Sequence, residues 1–294
     1  MTVGPVLARG AAIVAEIHHS HGIKAALAVN HLSRLFPHWT AEFWADALVN
    51  ARWFEEPLVD QPVSMPQLQI APERARVLLE RSVFPRAYGA IRSWAAVAGA
   101  DDIVEFYLEQ AAAQPGYLGH RLSILLALGE AWPLFKDTSM RDLYLDRLTE
   151  FILACRFTAR HEAQPSSTAG WQEACTAALV HPGFFGHNLI CLAWIGRNRA
   201  RLTTRQSQAS LGWVVDAASQ TFADEEDNVT MSQATCEMTQ ATLDAELQAL
   251  LLRGVRNIHL LTLADGISWL WDDLAPESRP WLVSVARKYA VATM

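Results

Sequence analysis

A chain of 294 residues, 51% hydrophobic and 19% charged, is long enough for one large core and too apolar to be disordered. Its formal net charge of -7 and the lack of any basic run exclude a phosphate-tracking surface, so no nucleic-acid partner is expected. Lysine is rare, with Lys24, Lys136 and Lys288 the three in the chain.

Apolar residues recur three and four apart in nearly every window, with no sustained alternation. The pattern predicts an all-α protein, a single irregular domain over residues 1–294 built from about twelve helices. In chain order the helices are expected at 6–36, 41–54, 72–98, 101–113, 118–131, 140–160, 171–180, 184–196, 204–222, 231–252, 255–273 and 280–292. Thr40 and Ser139 suit N-caps, and Gly170 is a poorer one. Pro85 is placed to break the 72–98 segment, and Pro276-Glu277-Ser278 fits an interhelical turn. Residues 163–170 read as a short linker and 224–228 as a solvated acidic loop.

The stretch 175–196 carries no formal charge and has the length of a membrane span. Pro182, Gly183 and Gly186 interrupt it, with His181 and His187 beside them, so it reads as two buried helices joined by a tight turn. No membrane partner is expected. Cys155, Cys175, Cys191 and Cys236 form no C-x-x-C pair and read as reduced, mostly buried thiols of a cytoplasmic protein. The short apolar stretch between Arg9 and Glu16 does not resemble a signal peptide.

Ten histidines are the notable feature. On a helix, His21, Lys24, Ala28 and His31 fall within about a quarter-turn of one another. His187 shares a face with Cys191 and Trp194, His259 with Leu263 and Gly266, and His120 with Ile124 and Ala127. Any one of them alone is satisfied by a backbone carbonyl. Several on inward faces of different helices point to a shared metal site, since imidazole is the commonest metal ligand. In His181-Pro-Gly-Phe-Phe-Gly-His187 the turn residues bring two imidazoles together, while Phe184 and Phe185 keep the surroundings dry. An ordinary helix corner with one capping histidine fits the same string.

Other templates fail. Glu16-x-x-His19 is half of a carboxylate-bridged diiron signature without its second half. There is no His-Glu-x-x-His, no Gly-rich phosphate loop and no Gly-x-Ser-x-Gly elbow, so no nucleotide cofactor is evident. Trp194, Trp269 and Trp271 serve either as core or as walls of an aromatic pocket.

The string Ile258-His259-Leu-Leu-Thr262-Leu-Ala264, followed by Leu274-Ala-Pro-Glu and Pro280-Trp-Leu-Val, resembles the closing motif of the questin oxidase-like family. Gly186-His187-Asn-Leu-Ile-Cys-Leu looks like its internal Gly-His segment, and His21-Gly-Ile-Lys-Ala-Ala-Leu-Ala is similar to its early Asn-His helix. Together these strings cover about a quarter of the chain. The resemblance implies an all-helical oxygenase of fungal anthraquinones and related aromatic polyketides, in secondary metabolism. It also implies a non-haem iron held by several histidines and a carboxylated lysine. It nominates His21, His181, His187 and His259 as metal ligands. The chain departs from the family in being shorter, in its His181–His187 spacing, and in having neither His nor Lys over 231–252. Lys24 is the substitute for the missing lysine.

The leading expectation is therefore a non-haem Fe(II) oxygenase, with Zn(II) the other metal such ligands suit. It would take dioxygen and an apolar or aromatic small molecule in a pocket walled by Phe184, Phe185, Trp194 and Trp269. Lys24 and Asp265 are the candidate catalytic residues, with Asp265 in a proton-transfer role or as a surface carboxylate. Two alternatives stand beside it: a metal-free helical binding or accessory protein, and a cofactor-independent enzyme using His187 or His259 as general base.

Overall fold

The computed structural model describes residues 4–14, 21–52, 57–66, 68–157, 167–223, 227–233, 239–252 and 257–292. Among them the chain is all-α: thirteen α-helices, no strand, and one isolated bridge between Ile13 and Leu58. The helices are α1 (Gly4–Ala12), α2 (Gly22–Leu35), α3 (Ala41–Ala51), α4 (Pro72–Glu80), α5 (Arg86–Ala113), α6 (His120–Ala131) and α7 (Thr138–Cys155). They continue as α8 (Trp171–Val180), α9 (His187–Arg197), α10 (Thr204–Ala218), α11 (Gln240–Leu252), α12 (Ile258–Asp273) and α13 (Arg279–Ala292). One contiguous hydrophobic core runs through all of them. No helix of the described residues is long and apolar enough to cross a membrane.

Most boundaries follow the local chemistry. Thr40 caps α3 through the Phe43 amide, Pro85 separates α4 from α5, and α5 breaks at Gly99, where φ is 86°. Four expected helices differ. The stretch expected as one helix over 6–36 is two, because the chain opens after Ala12 to pair with 57–59, through Val14 N–H to Pro57 O and Val59 N–H to Ala12 O. The two helices then pack through glycines: a Cβ on Gly22 would lie 2.2 Å from the Gly10 carbonyl oxygen. The helix expected from 140 begins at Thr138, because Asp137 and not Ser139 is the cap, its carboxylate accepting from the Ser139 and Met140 amides. α10 stops at Ala218, and Asn228 closes the following loop by exchanging hydrogen bonds with the Phe222 backbone. α11 starts at Gln240, since Met231 is held at the end of α8 by the Val180 carbonyl.

α2, α6, α9 and α12 are buried almost all round, as central helices must be. They form a ring in which α2 meets α12 and α6, and α9 meets α12 and α6. The other helices wrap it. Cys155, Cys175 and Cys191 are buried free thiols, and burial pushes each up to about 12. Cys236, His18, His19, residues 163–166 of the expected linker and residues 224–226 of the expected acidic loop lie outside the described residues.

Candidate metal centre

Each central helix begins with a histidine. His21 is the N-cap of α2, His120 and His187 are the first residues of α6 and α9, and His259 is the second of α12. All four are buried, none more than 7% exposed. His120 Nε2 lies 3.2 Å from His21 Nε2 and 3.0 Å from His187 Nε2. The His259 ring centroid is 4.7 Å from that of His21 and 4.6 Å from that of His187. One ring nitrogen from each of His21, His120 and His259 falls within 4.8 Å of the other two.

Two of the imidazoles are oriented by the far side of their rings. His187 Nδ1–H donates to the Phe184 carbonyl and His259 Nδ1–H to Asn257 Oδ1, at 2.7 Å in the latter case. Each is thereby fixed in the tautomer that leaves Nε2 as a lone pair. One proton on His120 Nε2 then serves two flanking nitrogens, a poor arrangement for hydrogen bonds alone. Charging the rings does not resolve it, since two imidazolium ions 4.8 Å apart repel by about 3 kcal/mol at an effective dielectric of 20. Burial holds His187 at about 3 and drives His120 well below the ordinary histidine value. Neutral, convergent imidazoles are what a late first-row divalent metal takes. The donor set fits such an ion.

Around the histidines, Phe184 stacks parallel to His187 and Phe185 parallel to His259, with centroids 6.0 and 5.9 Å apart. Lys24, one turn into α2, is 1% exposed, and its ammonium donates to Ser123 Oγ at 2.9 Å. Burial pulls it down to about 7, partly offset by Cys191 and Asp265.

The expected ligands divide. His21, His187 and His259 come together, whereas His181 ends α8 and is half-buried. Its Nδ1 faces Thr230 Oγ1 at 3.3 Å in a separate cavity of about 210 Å³. The fourth member of the cluster is His120, whose inward face the sequence reading noted without nominating it as a ligand. The signal was an internal repeat: Pro115-Gly-Tyr-Leu-Gly-His120-Arg-Leu122 and Pro182-Gly-Phe-Phe-Gly-His187-Asn-Leu189 lie 67 residues apart. Both turns place glycines at φ 76° before the aromatic and at φ 71° or 75° before the histidine, with Leu118 and Phe185 left-handed between. Both close with the residue after the histidine donating to the proline carbonyl, at 2.9 and 3.0 Å. A Cβ on Gly119 would strike Cys191 Sγ and the Trp213 ring, and one on Gly186 the Leu263 side chain.

The repeat continues to the far end of the ring. Ten residues past each of His21, His120 and His187, about 15 Å along a helix, stand His31, Glu130 and Arg197. These meet Asp265 of α12. Arg197 grips Asp265 with both guanidinium nitrogens, at 2.5 and 2.6 Å, and also reaches its carbonyl. His31 spans Asp265 and Glu130, each at 3.2 Å. Asp265, 1% exposed, is thus a buried ion-pair partner and not a surface carboxylate. Burial would raise its carboxyl, but Arg197 and His31 hold it below the usual range. Because both the histidines and these partners meet, the four helices run parallel. Trp269 lines a cleft of about 500 Å³ at this charged end, with His31, Arg34 and Arg197. Trp194 lies two turns beyond His187 against the Arg197 guanidinium. Of the four expected pocket residues, only Phe184 and Phe185 flank the histidines.

Comparison of the chain with models of known families, with curated proteins and with solved structures returns no match.

Proposed function

We propose that this chain is a metal-dependent oxygenase, with Fe(II) at the four-histidine centre and an aromatic, polyketide-like small molecule as substrate. The observation that carries the metal is the position of His120 Nε2 between two other Nε2 atoms, in a cluster where burial holds His120 and His187 neutral. His21, His120, His187 and His259 would hold the ion, and Zn(II) suits the same donors. Oxygenation is the reading favoured by the questin oxidase-like strings around His187 and His259. When bound, iron supplies the redox chemistry with dioxygen.

The chain's own residues do the rest. The Phe184 carbonyl and Asn257 orient two imidazoles, and Phe184 and Phe185 exclude water and offer flat walls to a planar ligand. Lys24 supplies a buried amine one turn below the histidines, and Asp265 a fixed negative charge beyond it.

Elemental analysis of protein purified without oxygen tests the reading. The wild type is expected to carry about one iron per chain, and His120→Ala, His187→Ala and His259→Ala to lose it while keeping their helical circular dichroism. His181→Ala is expected to retain it. A wild type that takes up neither Fe(II) nor Zn(II) sinks the metal centre. Turnover in chelator would then favour a histidine-base enzyme, and ligand binding without turnover a binding protein.

A further inference from the structure

Resting on the metal-centre reading above, we propose that the histidine centre binds its substrate as an anion, through the ionised hydroxyl of a planar aromatic. Three observations converge. The four central helices are parallel and all present their N-termini to the site, so their dipoles add there instead of cancelling. Lys24 is fully buried, and its Nζ makes one hydrogen bond, to neutral Ser123 Oγ; an anion beside it would favour the charged form that burial disfavours. No carboxylate of the described residues lies within ion-pair distance of it, and Asp265 is committed to Arg197 and His31. Finally, the four candidate donors are imidazoles, which bind a metal as uncharged ligands, so a divalent ion there brings two positive charges and no protein anion among its donors to balance them.

An excess of positive charge in a low-dielectric interior is costly, and a ligand that brings one negative charge removes much of that cost. The walls say what kind of anion. Phe184 and Phe185 lie parallel to His187 and His259, within 5° and 6°, which suits a flat ring more than a tetrahedral oxyanion. A phenolate or enolate of an aromatic ring satisfies both requirements, and a benzoate-type carboxylate satisfies the charge with its oxygens one atom further out.

Cobalt(II)-loaded protein provides a readout independent of turnover, since its visible spectrum changes when a new ligand enters the metal's sphere. Pentafluorophenol, ionised at neutral pH, is titrated against its neutral methyl ether, benzoate against benzamide, and azide serves as a bare anion. The phenolate is expected to perturb the cobalt bands and to bind at least about tenfold more tightly than the ether, with benzoate weaker than the phenolate. Lys24→Met, which keeps the volume and drops the charge, is expected to retain cobalt while losing about tenfold in phenolate affinity. Equal binding of phenolate and ether, or an unchanged preference in Lys24→Met, overturns the anion site and leaves the metal centre standing. A carbamate signal on Lys24 after ¹³C-bicarbonate labelling also overturns it, because the lysine would then itself be the anion. Failure to bind cobalt at all sinks the metal reading and this inference with it.

Discussion

The two ends of the central four-helix ring solve opposite problems with the same helices. At the N-terminal end four imidazoles crowd together, burial holding His120 and His187 neutral, with Nε2 of His120 shared between two other ring nitrogens. At the other end His31, Glu130, Arg197 and Asp265 form a network with two formal charges of each sign, in which Asp265 has both oxygens engaged. One end is complete as it stands, and the other is the end that we propose a metal ion completes. The difference teaches that burial and polarity alone do not mark a functional site; the sign of the unsatisfied balance does.

Mutation should therefore separate stability from binding along a single helix. The largest effect is expected for Asp265→Ala, which leaves the Arg197 guanidinium buried and unpaired, costing about 3–5 kcal/mol in urea unfolding. His120→Ala, at the other end, is expected to change the stability of the metal-free protein far less, because it also removes lone-pair crowding. Equal losses for the two variants would erase the distinction.

Acid and alkali sharpen it. Burial alone would lower His31, but its bonds to Asp265 and Glu130 raise it to about 9. That stabilisation is complete below about pH 6.5 and disappears as pH rises through 9, a loss of about 2–3 kcal/mol that His31→Gln should abolish. His187 has the opposite sign. Folded, it stays neutral down to about pH 3, while the unfolded chain takes up its proton near 6.5, so its contribution is lost between those values as pH falls. Stability curves of metal-free protein that lack the alkaline limb would contradict the assigned His31 network.

The smallest of the three effects concerns the turns that build the first end. Gly119→Ala and Gly186→Ala each force a Cβ into packed side chains at a left-handed φ, and are expected to cost about 1–3 kcal/mol apiece. Gly170→Ala, where a Cβ meets nothing within 4 Å, is the control.

Much of the helical layout was legible, because Pro85, Thr40, Gly99 and the turn at Pro276 act locally. The division of 6–36 into α1 and α2 was not, since it depends on a pairing with 57–59 that no local pattern announces. Within the site, His187 and His259 stood out through the strings around them. His120 was not nominated for the cluster although its turn repeats that of His187 residue for residue at the glycines. His181 was nominated because it sits beside the right turn, yet a residue six positions before a helix start lies on the far side of it. Asp265 read either as a proton-transfer group or as a helix-surface carboxylate, because Arg197 and His31, its partners, are remote in sequence.

The paired turns also bear on how the centre would meet the proposed ion. A side chain carried on a mobile loop must be gathered up when a metal arrives, and affinity falls by whatever that ordering costs. Here the donors are set by backbone: His120 and His187 each follow a left-handed glycine in a turn closed by a bond to the proline carbonyl, and the His187 ring also leans on the Phe184 carbonyl. On the proposed metal reading, folding itself would assemble the coordination shell. Uptake would then resemble the filling of a mould, with little change expected in circular dichroism or in hydrogen exchange along α6 and α9, and the dimensions of the mould would decide among ions.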